Sequence, residues 1–95
     1  MAVKIVIRRK VPKEKEKELL PLLIQMRGVA TAQPGYISGE TLINIENPVD
    51  FLVISTWQSL DNWKGWVSNK QRAEIQEKID ALLGEKTEYS CYLYG

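Results

Sequence analysis

The chain has 95 residues, of which 44% are hydrophobic, and thirteen basic residues face twelve acidic ones to give a net charge of +1. This length suits one domain rather than two, and the hydrophobic fraction is that of a globular protein and not of a disordered one. The balanced charge argues against nucleic-acid binding, because proteins of that class carry a basic excess that neutralises phosphates.

Cysteine and histidine usage narrows the chemistry further. The single cysteine, Cys91, cannot form an intrachain disulfide, so we expect the reducing cytoplasm as its setting and burial as a small hydrophobic side chain. No signal-like start and no apolar run of roughly 20 residues is present, so we expect neither secretion nor a membrane partner. The chain contains no histidine, which excludes histidine-ligated zinc, histidine-ligated haem and any nucleophile that depends on histidine.

Apolar periodicity predicts the first two elements. Alternating β-branched residues predict a strand over residues 3–9 that is apolar on both faces, since Val6 points away from its apolar neighbours on the strand. The basic residues 8–10 are then expected to form a solvated strand end. Apolar side chains at three- and four-residue steps predict a helix over residues 13–33, which Pro21 should kink or divide because it has no backbone N–H.

Two further strands follow a Pro-Gly break. Alternation over residues 36–45 predicts a strand with Tyr36 and Leu42 on one face and Thr41 on the other. Residues 51–57 predict a third strand, whose first residues are apolar without alternation. Like the first strand, this strand should therefore expose apolar side chains on the face that the helices leave uncovered.

Capping residues predict the last elements. Ser59 is the predicted N-cap of a short helix that carries two tryptophans, and residues 68–71 fit a capping box that begins a second helical piece. Gly84 suits the end of that helix, and residues 86–94 predict the last strand.

The order strand, helix, strand, strand, helix, strand is that of a split βαβ unit. It predicts one α+β domain over residues 1–95, a ferredoxin-like βαββαβ sandwich whose helices cover one face of the sheet. The other face would leave apolar side chains in water, which a second copy packed sheet to sheet would cover. We therefore expect a homodimer that associates through the sheet faces.

One segment carries a resemblance to a known family. Residues 33–66, QPGYISGETLINIENPVDFLVISTWQSLDNWKGW, combine a Pro-Gly-aromatic start, an Asn-Pro turn, a strand that ends in an aromatic residue and a serine-initiated helix with aromatics. This pattern resembles the antibiotic biosynthesis monooxygenase (ABM) family, and the order of elements agrees over essentially the whole chain. The resemblance implies a dimeric α+β barrel, with a cavity between sheet and helices where members hold aromatic polyketides, quinones or haem. It also implies a cofactor-independent monooxygenase that acts on a planar aromatic molecule such as a quinol or a polyketide-like compound.

The chain departs from that family at several positions. Many members have a histidine where this chain has Trp66, and the haem-degrading branch instead has a tryptophan there. That branch also needs a histidine where Gln76 stands and an asparagine in the first strand, where the candidates are Ile5 and Ile7. Because these departures remove the axial ligand and its polar partner, haem degradation is disfavoured, and we expect no cofactor and no metal. A non-catalytic module that binds a small molecule or assists another protein stays open as the alternative.

Five residues are candidates for binding a small-molecule substrate: Trp66, Trp63, Tyr92, Asn44 and Arg27. The tryptophans could stack on a planar ring or serve as ordinary core. The tyrosine could orient a phenolic substrate or lie in a dimer interface. The arginine and the asparagine could bind a substrate oxygen, or lie on the surface and in a turn, respectively. No residue is identified as the catalytic base.

Overall fold

The computed structural model describes residues 1–95. The elements in chain order are β1 (Val3–Lys10), a short 3-10 turn (Lys13–Lys15), α1 (Glu16–Ala30), β2 (Tyr36–Ile43), β3 (Asp50–Trp57), α2 (Leu60–Val67), α3 (Lys70–Leu83) and β4 (Glu88–Leu93). This order confirms the predicted ferredoxin-like α+β fold. No helix has the length and apolar character that crossing a membrane requires.

The four strands form one antiparallel sheet in the order β2-β3-β1-β4. On the helix-covered face the side chains of Val3, Ile5 and Ile7 are buried, as the alternation predicted. The opposite side of the sheet, here called the open sheet face, carries apolar residues that no other part of the chain covers. Val6 and Ile54 lie opposite one another on it and are only partly buried. The prediction of apolar side chains on both faces is therefore confirmed.

The core beneath the helices consists of two clusters. The first gathers β1 and β3 residues around Trp57, Trp63 and Trp66. The second joins α1 and α3 through Leu19 and Ile79, together with neighbouring apolar residues. Helix α1 packs chiefly against α3. Core side chains therefore do not fill all of the space between α1 and the sheet.

The observed helix ends agree with the predicted capping residues except at the start of α3. Ser59 caps α2, because its hydroxyl accepts a hydrogen bond from the backbone N–H of Asn62 at 3.1 Å. The N-cap of α3 is Asn69 and not Ser68, since the Asn69 side chain accepts from the N–H of Arg72. Gly84 ends α3 in the left-handed conformation with φ +74°, as predicted.

Pro21 does not divide α1, which runs without a break from Glu16 to Ala30. The proline removes only the hydrogen bond that would reach the carbonyl of Lys17, and both residues are exposed. Water can therefore satisfy this carbonyl at the helix surface, which makes the loss tolerable. The helix is also shorter than predicted, because its first turn is the separate 3-10 turn.

A β-bulge at the start of β2 corrects the predicted faces of that strand. The register shifts between Tyr36 and Ser38, so Tyr36 lies opposite Trp57 while Thr41 lies opposite Val53. Both residues therefore face the helices, whereas strict alternation predicted opposite faces. A Cβ atom at Gly39 would lie 2.8 Å from the Tyr36 hydroxyl, so the glycine leaves room for this ring.

Candidate functional site

A cavity of about 390 Å³ lies between α1, α2 and the helix-covered face of β1, β2 and β3. Thirteen of its eighteen lining residues are hydrophobic, which suits an apolar ligand. We call it the aromatic cavity; its lining residues are Ile7, Arg9, Leu20, Leu23, Ile24, Met26, Arg27, Ala30, Tyr36, Gly39, Thr41, Ile43, Phe51, Val53, Ser55, Trp57, Trp63 and Trp66.

The innermost wall of the aromatic cavity is made by aromatic rings. Trp57 stacks near Trp66 with ring centroids 6.1 Å apart and meets Trp63 at 5.9 Å. Tyr36 contacts the edge of Trp57 at 5.4 Å. The indole N–H of Trp57 donates to the Ser55 hydroxyl at 2.6 Å, which fixes the orientation of the central ring. The tryptophans thus serve both as buried core and as a rigid wall on which a planar molecule can stack.

The structure brings together three of the five predicted site residues. Trp63 and Trp66 enter the aromatic cavity from one face of α2, and Arg27 enters it from α1. The guanidinium of Arg27 donates from Nη2 to the Thr41 hydroxyl at 3.4 Å, a contact that links α1 to β2 at an exposed position. These residues can contact a bound ligand, and their role in binding one stays a proposal.

Tyr92 and Asn44 do not line the aromatic cavity. Tyr92 lies opposite Lys4 on the open sheet face and is 54% exposed, because the alternation of β4 turns Tyr89, not Tyr92, toward the helices. Asn44 follows the end of β2, where its side-chain oxygen accepts from the N–H groups of Glu46 and Asn47. That arrangement is the turn hydrogen bonding that was the alternative for this residue.

Residues 8–10 are not a uniform solvated strand end. Arg8 and Lys10 are exposed, but Arg9 is only 8% exposed and lines the aromatic cavity. Continuing the alternation of Val3, Ile5 and Ile7 by one step would have predicted this burial. The helix-facing position of Tyr36 had no such signal, because a bulge cannot be recognised from alternation alone.

A partly buried polar network lies behind Trp63, between α3 and β4. The Tyr89 hydroxyl accepts a hydrogen bond from Arg72 and donates to Gln76 Oε1 at 3.0 Å. Gln76 Nε2 in turn donates to Asp80 Oδ1 and to the Thr87 hydroxyl, both at 2.8 Å. Every fully buried polar side-chain atom has a partner, so the network is satisfied and fixes the position of α3 over β4.

Burial perturbs two ionisable groups in this region. It raises the pKa of Tyr89 above its ordinary value of 10.0, although the nearby charges of Arg72 and Arg9 act in the opposite direction. Burial also lowers the pKa of Arg9, while the proximity of Tyr89 and Asp80 partly opposes that change. Both groups keep their neutral-pH form, a phenol and a guanidinium.

The side chains do not suit haem or a metal ion. No group of three or more Cys, Asp and Glu residues is placed to hold a metal, and the sequence has no histidine. Gln76, which stands where the haem-degrading branch has histidine, is engaged by Tyr89, Asp80 and Thr87. Cys91 is exposed on β4, contrary to the expected burial, because this edge strand is exposed along its whole length.

Solved structures of other proteins share the fold of this chain. A conserved protein from Methanosarcina mazei Go1 superposes with a TM-score of 0.92 at 20% identity, covering 100% of this chain and 94% of that chain. SnoaB, a cofactor-independent oxygenase from Streptomyces nogalater, superposes with a TM-score of 0.86 at 16% identity over 98% of this chain and 92% of that chain. At these identities the likeness shows the fold alone.

Comparison with known sequences identifies the family to which the chain belongs. Protein SchA from Streptomyces halstedii is 24% identical over 81 residues, which is 85% of this chain and 21% of SchA. This chain thus spans about a fifth of the length of that relative. The model of the antibiotic biosynthesis monooxygenase family matches residues 2–78, which include β1, α1, β2, β3, α2 and most of α3. The chain belongs to the antibiotic biosynthesis monooxygenase family.

Proposed function

We propose that this protein is a cofactor-independent monooxygenase acting on a planar aromatic molecule, such as a quinol or a polyketide-like compound. The observation that carries the proposal is the aromatic cavity, whose volume of about 390 Å³ and tryptophan wall suit a flat, fused-ring ligand. Family membership supports the class of reaction. The structural likeness to SnoaB supports a reaction that needs no cofactor.

In the proposed reaction the substrate itself supplies the electrons. The substrate loses an acidic proton, from a hydroxyl or from a ring carbon beside a carbonyl, and the resulting anion reduces dioxygen and bonds to one of its oxygen atoms through a ring carbon that still carries one hydrogen. Loss of water then leaves a ring carbonyl, so one oxygen atom enters the product and the other leaves as water. The protein has to exclude water, hold the ring and stabilise the anion.

The lining residues divide these tasks. Trp63 and Trp66 hold the ring by stacking, while Arg27 binds a substrate oxygen from α1. No Asp, Glu, Lys or Cys lines the aromatic cavity, and Tyr36 is the only lining side chain of a type that acts as a general acid or base. We propose that the substrate proton passes to solvent through the exposed side of the cavity.

Oxygen uptake tests the proposal. Purified protein is supplied with a panel of anthrones and hydroquinones, and autoxidation without protein is subtracted. We expect uptake with at least one fused-ring member, and Trp66→Phe should lower kcat/KM roughly threefold to tenfold, because one aromatic pair contributes about 0.5–1.5 kcal/mol. Lys64→Ala changes an exposed residue on the same helix and should leave the rate unchanged. No uptake above autoxidation with any member would overturn the proposed activity.

The second candidate function is a non-catalytic binding module built on the same cavity. The scarcity of acid–base side chains in the wall, where Tyr36 is the only one of such a type, favours it. Equilibrium titration separates the two functions: tight binding of an anthrone without oxygen uptake would identify a binding module, whereas binding with uptake would identify the enzyme.

We also propose that two copies associate through the open sheet face. Val6, Leu52 and Ile54 are partly covered there, while Leu42 and Tyr92 are exposed. A contiguous apolar surface of this kind commonly marks an interface. The exposed thiol of Cys91 suits the reducing cytoplasm as the place of action.

A further inference from the structure

The charge of the aromatic cavity differs from that of the whole chain. Acidic and basic residues nearly balance in the sequence, with twelve of the first kind and thirteen of the second. Among the eighteen lining residues, the only side chains charged at neutral pH are Arg9 and Arg27. A ligand inside the cavity therefore meets positive charge alone.

Arg9 is the unusual member of this pair because it is buried without a carboxylate partner. Its Nε donates to the Thr87 hydroxyl at 3.4 Å, which is the only hydrogen bond that its side chain makes. Since every fully buried side-chain nitrogen has a partner, the two terminal nitrogens of Arg9 must reach accessible space. A guanidinium removed from bulk water with unused donors is costly unless an anion approaches it.

The groups around Arg9 do not neutralise it. Tyr89 on β4 is a neutral phenol, and Arg72 on α3 adds a second positive charge. Asp80 on α3 is the carboxylate that acts on Arg9, and its Oδ1 already accepts hydrogen bonds from Gln76 and Thr87. Asp80 and Arg72 act on Arg9 in opposite directions, so the positive charge of Arg9 itself remains beside the aromatic cavity. Arg9 also borders a second depression whose lining includes Asp50, Glu85 and Glu88, but its side chain makes no hydrogen bond to these carboxylates.

Arg27 extends the positive potential to the exposed side of the cavity. Its side chain lies on α1 and reaches the Thr41 hydroxyl on β2. A planar anion can therefore enter past one guanidinium and lie against the tryptophan wall with its charged oxygen toward the other. Arg9 is best suited to discriminate, because burial strengthens its interaction with a charged group.

We propose that the aromatic cavity selects planar aromatic ligands that carry an ionised oxygen, a phenolate, enolate or carboxylate, and that Arg9 sets this selectivity. The inference rests on the proposed function and deepens it by naming the charge of the ligand. In the oxygenase reaction the same guanidinium would lower the pKa of an acidic substrate hydroxyl, which compensates for the lack of a carboxylate or lysine base in the cavity wall.

Two nearly isosteric quinones test the inference without turnover. 2-Hydroxy-1,4-naphthoquinone is ionised at neutral pH, whereas 2-methoxy-1,4-naphthoquinone is neutral. Calorimetric titration of the wild-type protein should give a Kd at least about tenfold lower for the hydroxy compound, as a hydrogen bond between charged groups implies. Arg9→Met keeps the length of the side chain and should abolish this preference, with binding of the methoxy compound unchanged.

Two further variants separate charge at this position from charge on the strand. Arg8→Met removes the neighbouring positive charge at an exposed position and should keep the full preference. Arg9→Lys keeps the charge and loses the planar fork, so it should retain part of the preference. Thermal unfolding of Arg9→Met without ligand should show no loss of stability, since a buried charge has been replaced by an apolar side chain.

The possible failures are distinguishable. If the wild-type protein binds both quinones equally, the charge selectivity is overturned and the aromatic cavity remains a ligand site. Equal weakening of both compounds in Arg9→Met, or an equal effect of Arg8→Met, would also overturn it. If neither quinone binds, the ligand-binding function proposed for the cavity is overturned together with its selectivity.

Discussion

At the scale of single residues, Arg9 shows that the position of a basic residue along a strand decides whether it is buried, even where its sequence neighbours are also basic. It is the middle member of three consecutive basic residues, and both of its neighbours are exposed. The alternation of β1 turns Arg9 alone toward the helices, where it is buried next to the aromatic cavity. The positive charge in the cavity thus depends on Arg9, a residue that the run of three basic residues would predict to be exposed to solvent.

Tyr89 gives a prediction for alkaline pH. Because burial raises its pKa above 10.0, Tyr89 should give a late component that ionises above pH 10.0 in a near-ultraviolet alkaline titration, and Tyr89→Phe should remove that late component. The sign for stability follows from linkage: the unfolded chain loses this proton first, so the free energy of unfolding falls as pH rises above 10.0 through the folded-state pKa. Below that range the contribution is fully present.

Tyr92→Phe is the matched control for this titration. Tyr92 is exposed on the open sheet face of the same strand, so its removal should leave the late component in place. A late component that survives Tyr89→Phe would contradict the assignment.

At the scale of elements, the second helical piece shows why a capping motif must be located to the residue. The predicted capping box puts the cap at Ser68, whereas the structure uses Asn69, whose side chain also donates to Gln33 Oε1 at 3.3 Å. Ser68 instead ends α2, where its backbone N–H bonds to the Lys64 carbonyl. One residue therefore separates the end of one helix from the start of the next.

The two caps can be distinguished by stability. Asn69→Ala should lower the free energy of unfolding by about 1 kcal/mol, because an N–H in the first turn of α3 loses its acceptor. Ser68→Ala removes a hydroxyl that caps neither helix and should change stability by less than about 0.5 kcal/mol. Denaturant unfolding measures both; equal losses in the two variants would show that the cap is shared.

Most of the elements could be predicted from the sequence because each carries a local signal. Strand β1 alternates, α1 and α3 carry apolar stripes, and Gly84 marks a helix end. The faces of β2 could not be predicted, because one extra residue in the bulge turns Tyr36 toward the helices. That displacement depends on pairing with β3, where Tyr36 pairs with Trp57 and Ser38 with Thr56, so it leaves no local pattern in the sequence.

At the scale of the whole molecule, the open sheet face gives a prediction about assembly. Ile54 lies near its middle, opposite Val6 and Glu40 on the neighbouring strands. The wild-type protein should sediment at twice the chain mass of 10.9 kDa, and Ile54→Glu should shift it to a monomer, because it places a charge in the apolar interface.

Ala81→Glu introduces the same charge at an exposed position of α3, on the far side of the molecule, and should leave the dimer intact. A wild-type species of 10.9 kDa at every concentration would contradict pairing through this face.

The candidate site was only partly predictable from the sequence. Trp63, Trp66 and Arg27 lie on helices whose apolar stripes indicated which side faces the sheet, and all three line the cavity. Tyr92 could not be placed, since β4 is exposed along both faces and its pattern did not reveal which parity faces the helices. Asn44 lies one residue beyond β2, where a turn determines its contacts.

The incomplete packing between α1 and the sheet has a consequence for how this protein can evolve. Leu20 and Ile24 line the aromatic cavity, yet they are 58% and 64% exposed and contribute little to the core. Substitutions at such exposed positions usually alter stability by less than about 0.5 kcal/mol, but here they would reshape the space that a ligand occupies. Ligand preference can therefore diverge among descendants of this chain while the sheet and the tryptophan wall stay the same.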